Sequence, residues 1–209
     1  YSDEIADEAA KLQDQIDAAD FLSDEAKDYL ANYRFSGDID GYREGDLYFP
    51  YSPIMTVRGT FAECVILETV ILSILNSDSA VASAASRMVS AADGRPIIEM
   101  GSRRTNEQNA VSAARATYIA GFNATSNMEA SLRYGIPASG TSAHSWTLLH
   151  VDEDGRPDEK AAFQGQIDSL GVDTTLLVDT FDITRGVENA LEVAGTELGA
   201  VRIDSGDLS

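Results

Sequence analysis

The chain has 209 residues, with 15 Lys and Arg against 35 Asp and Glu for a formal net charge of -20, and 44% of its residues are hydrophobic. That length suits one domain, or one domain with part of a second, and is enough to bury a sizeable core. Such an excess of acid excludes nucleic-acid binding through phosphate neutralisation and disfavours anionic membranes, while the ordinary apolar fraction excludes a disordered polyanion.

Ile5, Leu12 and Ile16 recur near helical spacing between residues 3 and 21, so an amphipathic surface helix is expected there. Ser23 is placed to cap a second helix through Leu30 and Tyr33, and Ser36-Gly37-Asp38 with Gly41 should break the pattern. Leu47-Tyr48-Phe49 and Ile54-Met55-Thr56-Val57 are short runs of strand formers parted by Pro50 and Pro53. Residues 1–60 therefore read as a small, incomplete α+β lobe, and 61–209 as the first part of a larger domain.

From 61 to 75 the chain is strongly apolar, but Glu68 interrupts the run and it is shorter than the roughly 20 residues a bilayer requires. A buried helix is expected, with a second helix over 80–92 packed closely on it through Ala and Ser. Cys64 is the one cysteine, which excludes an internal disulfide framework and a multi-cysteine metal site and suits a reducing compartment; it is expected in the core. With no basic, apolar leader at Tyr1-Ser2-Asp3-Glu4 and no lipidation signal, the expected location is cytoplasmic, without membrane association.

After Pro96 the rhythm changes to short apolar runs, each followed by a polar or Gly-bearing turn and then a helical pattern. The runs are 96–100, 119–122, 136–138, 175–178 and 200–203. Alternation of this kind predicts a parallel sheet or α/β barrel, whose chemistry sits at the C-terminal ends of the strands. The turns there read Gly101-Ser102-Arg103-Arg104, Thr125-Ser126-Asn127, Gly140-Thr141-Ser142-Ala143-His144, Asp179-Thr180-Phe181-Asp182 and Asp204-Ser205-Gly206-Asp207. The last run stands close to Ser209 with no helix after it, so the barrel is expected to be incomplete.

Those turns offer a recognisable chemistry. A histidine in a turn is often only structural, but a carboxylate from Asp179 or Asp182 on one imidazole nitrogen would fix the tautomer of His144 and leave the other nitrogen as base or nucleophile. Arg103, Arg104 and Arg202 all lie at strand ends, where they either pair with surplus acids or bind a phosphate or carboxylate. Asp204 and Asp207 either form a simple Asp-Gly turn, accept from sugar hydroxyls, or hold Mg²⁺. Gly-x-Gly-x-x-Gly, Gly-Lys-Ser/Thr and His-Glu-x-x-His motifs are absent from the sequence, which removes the usual dinucleotide, nucleoside-triphosphatase and zinc-protease readings.

Taken in order, Glu99-Met100-Gly101-Ser102-Arg103-Arg104, Ala124-Thr125-Ser126-Asn127, Ser139 through Ser145, Leu177 through Asp182 and Val201 through Asp207 resemble the nicotinate phosphoribosyltransferase family. Tyr48-Phe49-Pro50 and the stretch from Gly59 through Glu63 resemble it too, so the likeness covers the chain from about Tyr33. It implies an α/β barrel of phosphoribosyltransferase type behind a small α+β lobe, and a homodimer. It also implies conversion of nicotinate and phosphoribosyl pyrophosphate to nicotinate mononucleotide and pyrophosphate, with ATP as co-substrate and Mg²⁺ as cofactor. By the same resemblance His144 is phosphorylated by ATP, Asp179 holds its imidazole, and Met100, Arg103, Ser126, Ser139, Arg202, Asp204, Ser205 and Asp207 bind substrate, with no dedicated metal ligands. Ser126 stands where nicotinamide-using relatives place an acid, which favours nicotinate over nicotinamide; a quinolinate enzyme would want more cations. Family members are about twice as long, so the chain is expected to be part of the enzyme, and an inactive fragment or an unrelated phosphate-binding barrel are the alternatives. Asn123-Ala124 departs from the acid-Gly pair many members carry.

Overall fold

The computed structural model describes residues 2–206, with side chains from residue 10 onward. The chain divides into two compact units, Tyr1–Met88 and Val89–Ser209. Its architecture is mixed α/β.

In the first unit, α1 (Ser2–Asp17) and α2 (Asp24–Ala31) pack as a short helical pair. Ser23 caps α2 as its sequence predicts, its hydroxyl accepting from the Ala26 amide at 3.2 Å. The predicted break at 36–41 is instead strand β1 (Asp38–Gly41), antiparallel to β2 (Met55–Arg58), with Asp40 and Arg58 paired across it. Gly37 permits this: a Cβ there would collide with the Arg58 carbonyl, so a residue suggesting a breaker allows close strand approach. The run Leu47-Tyr48-Phe49 forms no strand; its residues are exposed and lie next to Tyr51, which has a left-handed backbone (φ 67°).

Helix α3 (Phe61–Ala92) is one continuous element of 32 residues, correcting the two packed helices expected over 61–75 and 80–92. No Gly or Pro interrupts it, and Ser77-Asp78-Ser79 sits within the helix where a connection was expected. Its start is a capping box: Glu63 Oε2 accepts from the Thr60 amide and hydroxyl, both at 2.8 Å, while Oε1 accepts from the Ser36 amide at 2.9 Å and hydroxyl at 2.8 Å. Those donors, the Thr60 amide first, hold the Glu63 pKa down to about 2. The expected burial of α3 is not found, since Val65, Val70, Leu72 and Ile74 are exposed. Val65 and Leu72, together with Ile54, Val57 and half-buried Cys64, border an apolar groove of about 590 Å³, so Cys64 is a groove residue and not a core one. Length and composition alone would let α3 cross a bilayer, a property it shares with core helices of water-soluble proteins.

The second unit carries the parallel strands. Strand β3 (Ile98–Glu99) pairs in parallel with β4 (Ala124–Thr125), and Thr125 makes a further parallel bridge to Ala138. Strand β5 (Thr175–Leu177) pairs in parallel with β6 (Ala200–Arg202). Helices cross between them: α4 (Glu107–Ile119) leads into β4, α5 (Met128–Tyr134) to the bridge, α7 (Glu159–Leu170) into β5 and α8 (Ile183–Ala194) towards β6, with the short α6 (His144–Leu149) before α7. The run expected over 119–122 ends α4, and the strand lies at Ala124–Thr125. Phe163, Leu176, Val178 and Ala190 form one core between α7, β5 and α8, and Ala114, Ala130 and Ile136 another between α4 and α5. Gly186 lets α8 lie directly on β5, because a Cβ there would strike the Val178 carbonyl.

Candidate functional site

The turns after the Ala138 bridge, β5 and β6 meet at the C-terminal ends of their strands. His144 opens α6 behind a stretch of small residues, so its imidazole is reached without bulky neighbours on its own turn. Its Nδ1 lies 3.1 Å from the Thr180 hydroxyl. Its Nε2 faces two carboxylates, Asp179 Oδ1 at 3.8 Å and Asp204 Oδ2 at 3.7 Å. Both are too far for direct hydrogen bonds but close enough to favour a proton on Nε2, which leaves the lone pair on Nδ1.

Asp179 is the anchor of this cluster, with a side chain only 3% exposed. Its Oδ2 accepts from the Asp204 amide at 2.9 Å, the Ser205 amide at 2.9 Å and the Ser205 hydroxyl at 3.1 Å. Burial pushes its carboxyl up, but those donors and the nearby imidazole outweigh that and place its pKa below the ordinary aspartate value. Oδ1 is buried and without a hydrogen-bond partner, pointing at the histidine. A buried oxygen kept unpaired is costly unless a ligand or a protonated neighbour uses it.

Arg202, at the end of β6, donates to the Thr141 hydroxyl and to Asp204 Oδ1, so one guanidinium ties the histidine turn to the Asp204 turn. Ser139 is joined to the preceding strand β4, its amide donating to the Thr125 carbonyl at 2.9 Å. Met100, Arg103 and Ser126 stand apart from this cluster, on the turns after β3 and β4. Arg103 and Arg104 lie in a single 3₁₀ turn, Ser102–Arg104, and both are exposed and make no ion pair among the described residues. Asp207 lies outside the described residues.

Asp182 does not reach the histidine; it caps α8, accepting from the Arg185 amide at 2.8 Å. His150 is structural: its Nδ1 lies 2.8 Å from the Trp146 carbonyl and its ring packs edge-on against Trp146. Thr141 and Thr180 were within the motif runs, but their roles against Arg202 and His144 depend on side-chain positions no spacing reveals. No group of three or more His, Cys, Asp and Glu capable of holding a metal occurs among the described residues.

Parallel strands whose C-terminal turns gather a histidine, two aspartates and an arginine define a candidate α/β site at the strand ends where such folds carry their chemistry. Residues 7–76 match the nicotinate phosphoribosyltransferase N-terminal domain, and residues 96–209 match the nicotinate phosphoribosyltransferase family. The chain belongs to the nicotinate phosphoribosyltransferase family. It is 62% identical to nicotinate phosphoribosyltransferase pncB1 of Mycobacterium tuberculosis over 192 residues, covering 91% of this chain and 43% of that protein. Human nicotinic acid phosphoribosyltransferase superposes with a TM-score of 0.77 at 28% identity, over 95% of this chain and 50% of that one. A nicotinate-nucleotide pyrophosphorylase from Pyrococcus furiosus superposes with a TM-score of 0.74 at 29% identity, over 81% of this chain and 43% of that one. The chain thus spans less than half the length of the curated relative it matches.

Proposed function

We propose that this chain is the part of a nicotinate phosphoribosyltransferase that carries its phosphorylatable histidine, and that its parallel strand pairs belong to one α/β barrel. The barrel reading is supported by βα crossovers joining parallel neighbours and by a turn at the same end of each strand. The observation that carries the functional reading is the imidazole of His144, held at Nδ1 by Thr180 and faced at Nε2 by Asp179 and Asp204.

In the proposed reaction Nδ1 of His144 attacks the γ-phosphorus of ATP. The N–P bond forms, the bond to the β-phosphate oxygen breaks, and ADP leaves. As the imidazole acquires positive charge, the two carboxylates at Nε2 stabilise it. The Thr180 hydroxyl rotates off Nδ1 as the phosphoryl group arrives. In the transfer itself the ring nitrogen of nicotinate attacks the ribose carbon as the bond to diphosphate breaks. The pyridine nitrogen is a competent nucleophile, so positioning carries most of the catalysis. Arg103 is assigned to the nicotinate carboxylate, Met100 to the ring, Ser126 to the side of the ring where an acid would repel a carboxylate, Asp204 to the ribose hydroxyls, and Arg202, Ser205 and Ser139 to the phosphates.

Mg²⁺ fits this donor set as an ion carried in on the diphosphate, because it is commonly held by one or two carboxylates plus phosphates and Asp204 offers such an oxygen. When bound it supplies positive charge to the leaving diphosphate. The test is formation of nicotinate mononucleotide from nicotinate, phosphoribosyl pyrophosphate and Mg-ATP, with nicotinamide and quinolinate as competitors. The reading expects product from nicotinate alone and loss of the ATP-stimulated rate in His144→Ala. Product from quinolinate in place of nicotinate, or an unchanged ATP effect in His144→Ala, would overturn it.

A further inference from the structure

We propose that Glu99 is a positioning residue for the pyridine end of the site, a role that rests on the functional reading above. The residue is buried, 6% exposed, yet it lies outside the histidine cluster. One carboxylate oxygen accepts from the Gly101 amide; the other accepts from the Thr125 hydroxyl at 2.7 Å. The Thr125 oxygen in turn accepts from the Asn127 amide at 3.0 Å, and the Glu99 carbonyl accepts from the Ser126 amide at 2.8 Å. Asn127 closes the circuit, its amide nitrogen donating to the Ser102 hydroxyl at 3.2 Å while its oxygen accepts from the Ala130 amide at 2.9 Å at the start of α5.

One buried carboxylate therefore locks together two turns from different strands. The first carries Met100 and Arg103, the second Ser126, the three residues assigned to nicotinate. None of the three contributes a side chain to the lock, so they stay available to a ligand while their backbones are fixed. A carboxylate suits this place because both oxygens must accept, from an amide on one side and a hydroxyl on the other. An amide offers one acceptor only. In Glu99→Gln the amide oxygen should take the Gly101 amide, and the NH₂ group should face Thr125, whose hydroxyl can rotate to accept. The fold is retained and the charge-assisted link between the turns is lost.

A charge-assisted hydrogen bond of this kind corresponds to about a tenfold or greater change in a binding equilibrium. The full chain of the enzyme, wild type and Glu99→Gln, is assayed for the KM of nicotinate, the KM of phosphoribosyl pyrophosphate and the rate of phosphate incorporation from ATP. The expected result is a rise of about tenfold in the nicotinate KM with the other two unchanged. Thr125→Val should act in the same direction, Thr125→Ser should restore the wild-type value, and the double variant Glu99→Gln/Thr125→Val should be no worse than the worse single one. A parallel rise in both KM values, a loss of phosphate incorporation, or an unaltered nicotinate KM overturns the positioning role while leaving the functional reading intact. A wild type that turns over no nicotinate overturns both.

Discussion

Replacing Asp179 by Asn tests how the imidazole is prepared. The amide oxygen is expected to occupy the place of Oδ2, because the three donors there, the Asp204 amide, the Ser205 amide and the Ser205 hydroxyl, all need an acceptor. The NH₂ group then stands where Oδ1 was, 3.8 Å from His144 Nε2, and a carboxylate charge is replaced by a donor. At that separation a unit charge pair is worth about 4 kcal/mol in a medium of effective dielectric about 20, and the partial exposure of His144 reduces it. Asp204 keeps its own charge at 3.7 Å. A net loss of about 2–3 kcal/mol remains, or about 30- to 150-fold in the rate of phosphoryl transfer to the histidine. The donor also favours the tautomer with the proton on Nδ1, which works in the same direction. The assay is incorporation of acid-labile phosphate from γ-labelled ATP, with circular dichroism to confirm the fold. A rate within about threefold of wild type in folded protein would refute the idea that Asp179 activates the imidazole.

Three further outcomes follow from separate features. Glu63, whose pKa is lowered to about 2 by its Thr60 and Ser36 donors, contributes stability that is present above the ordinary glutamate pKa of 4.5 and lost as pH falls through the lowered value. Glu63→Gln should therefore lower the melting temperature at neutral pH and flatten the acid limb between those two values, and an unchanged acid limb would contradict the capping role. Glu159 is the opposite case: burial first of all raises its pKa against its hydrogen bond from Asn189, and Oε1 has no partner. Its folded form binds a proton more readily than its unfolded form, so stability falls as pH rises through that window, and Glu159→Gln should raise the melting temperature at neutral pH; a lower one would show that the charge is used. Ser126→Asp should shift substrate preference from nicotinate towards nicotinamide by repelling the carboxylate, read as a ratio of kcat/KM, and an unaltered ratio would remove Ser126 from the specificity surface.

The second unit was the more legible in sequence because its elements are punctuated locally. Each apolar run after Pro96 is short and ends in a polar turn, so β3, β5 and β6 lie within their predicted runs. Residue type leaves both Asp179 and Asp182 open as partners of His144, the family resemblance singles out Asp179, and of the two it is Asp179 that faces the imidazole while Asp182 caps α8. β4 was displaced because the apolar tail of α4 continues into Phe122, and periodicity alone does not separate a buried helix end from a strand start. In the first unit, Gly37 and Gly41 signalled a break although glycine there serves close strand pairing. A junction is expected between 75 and 80 because Ser-Asp-Ser resembles a linker, but the run is tolerated within a helix and α3 continues through it. The role of Thr180 and the lock around Glu99 could not be read at all, since each depends on which way a side chain turns after the strands are assembled.

The measurement that bears most directly on the central claim is the mass-spectrometric location of phosphate on the protein after incubation with Mg-ATP and an alkaline quench. One phosphate on His144, acid-labile and absent from His144→Ala, is the predicted result. Phosphate on another residue, or an unmodified protein that nevertheless shows ATP-stimulated nicotinate mononucleotide formation, would contradict the account.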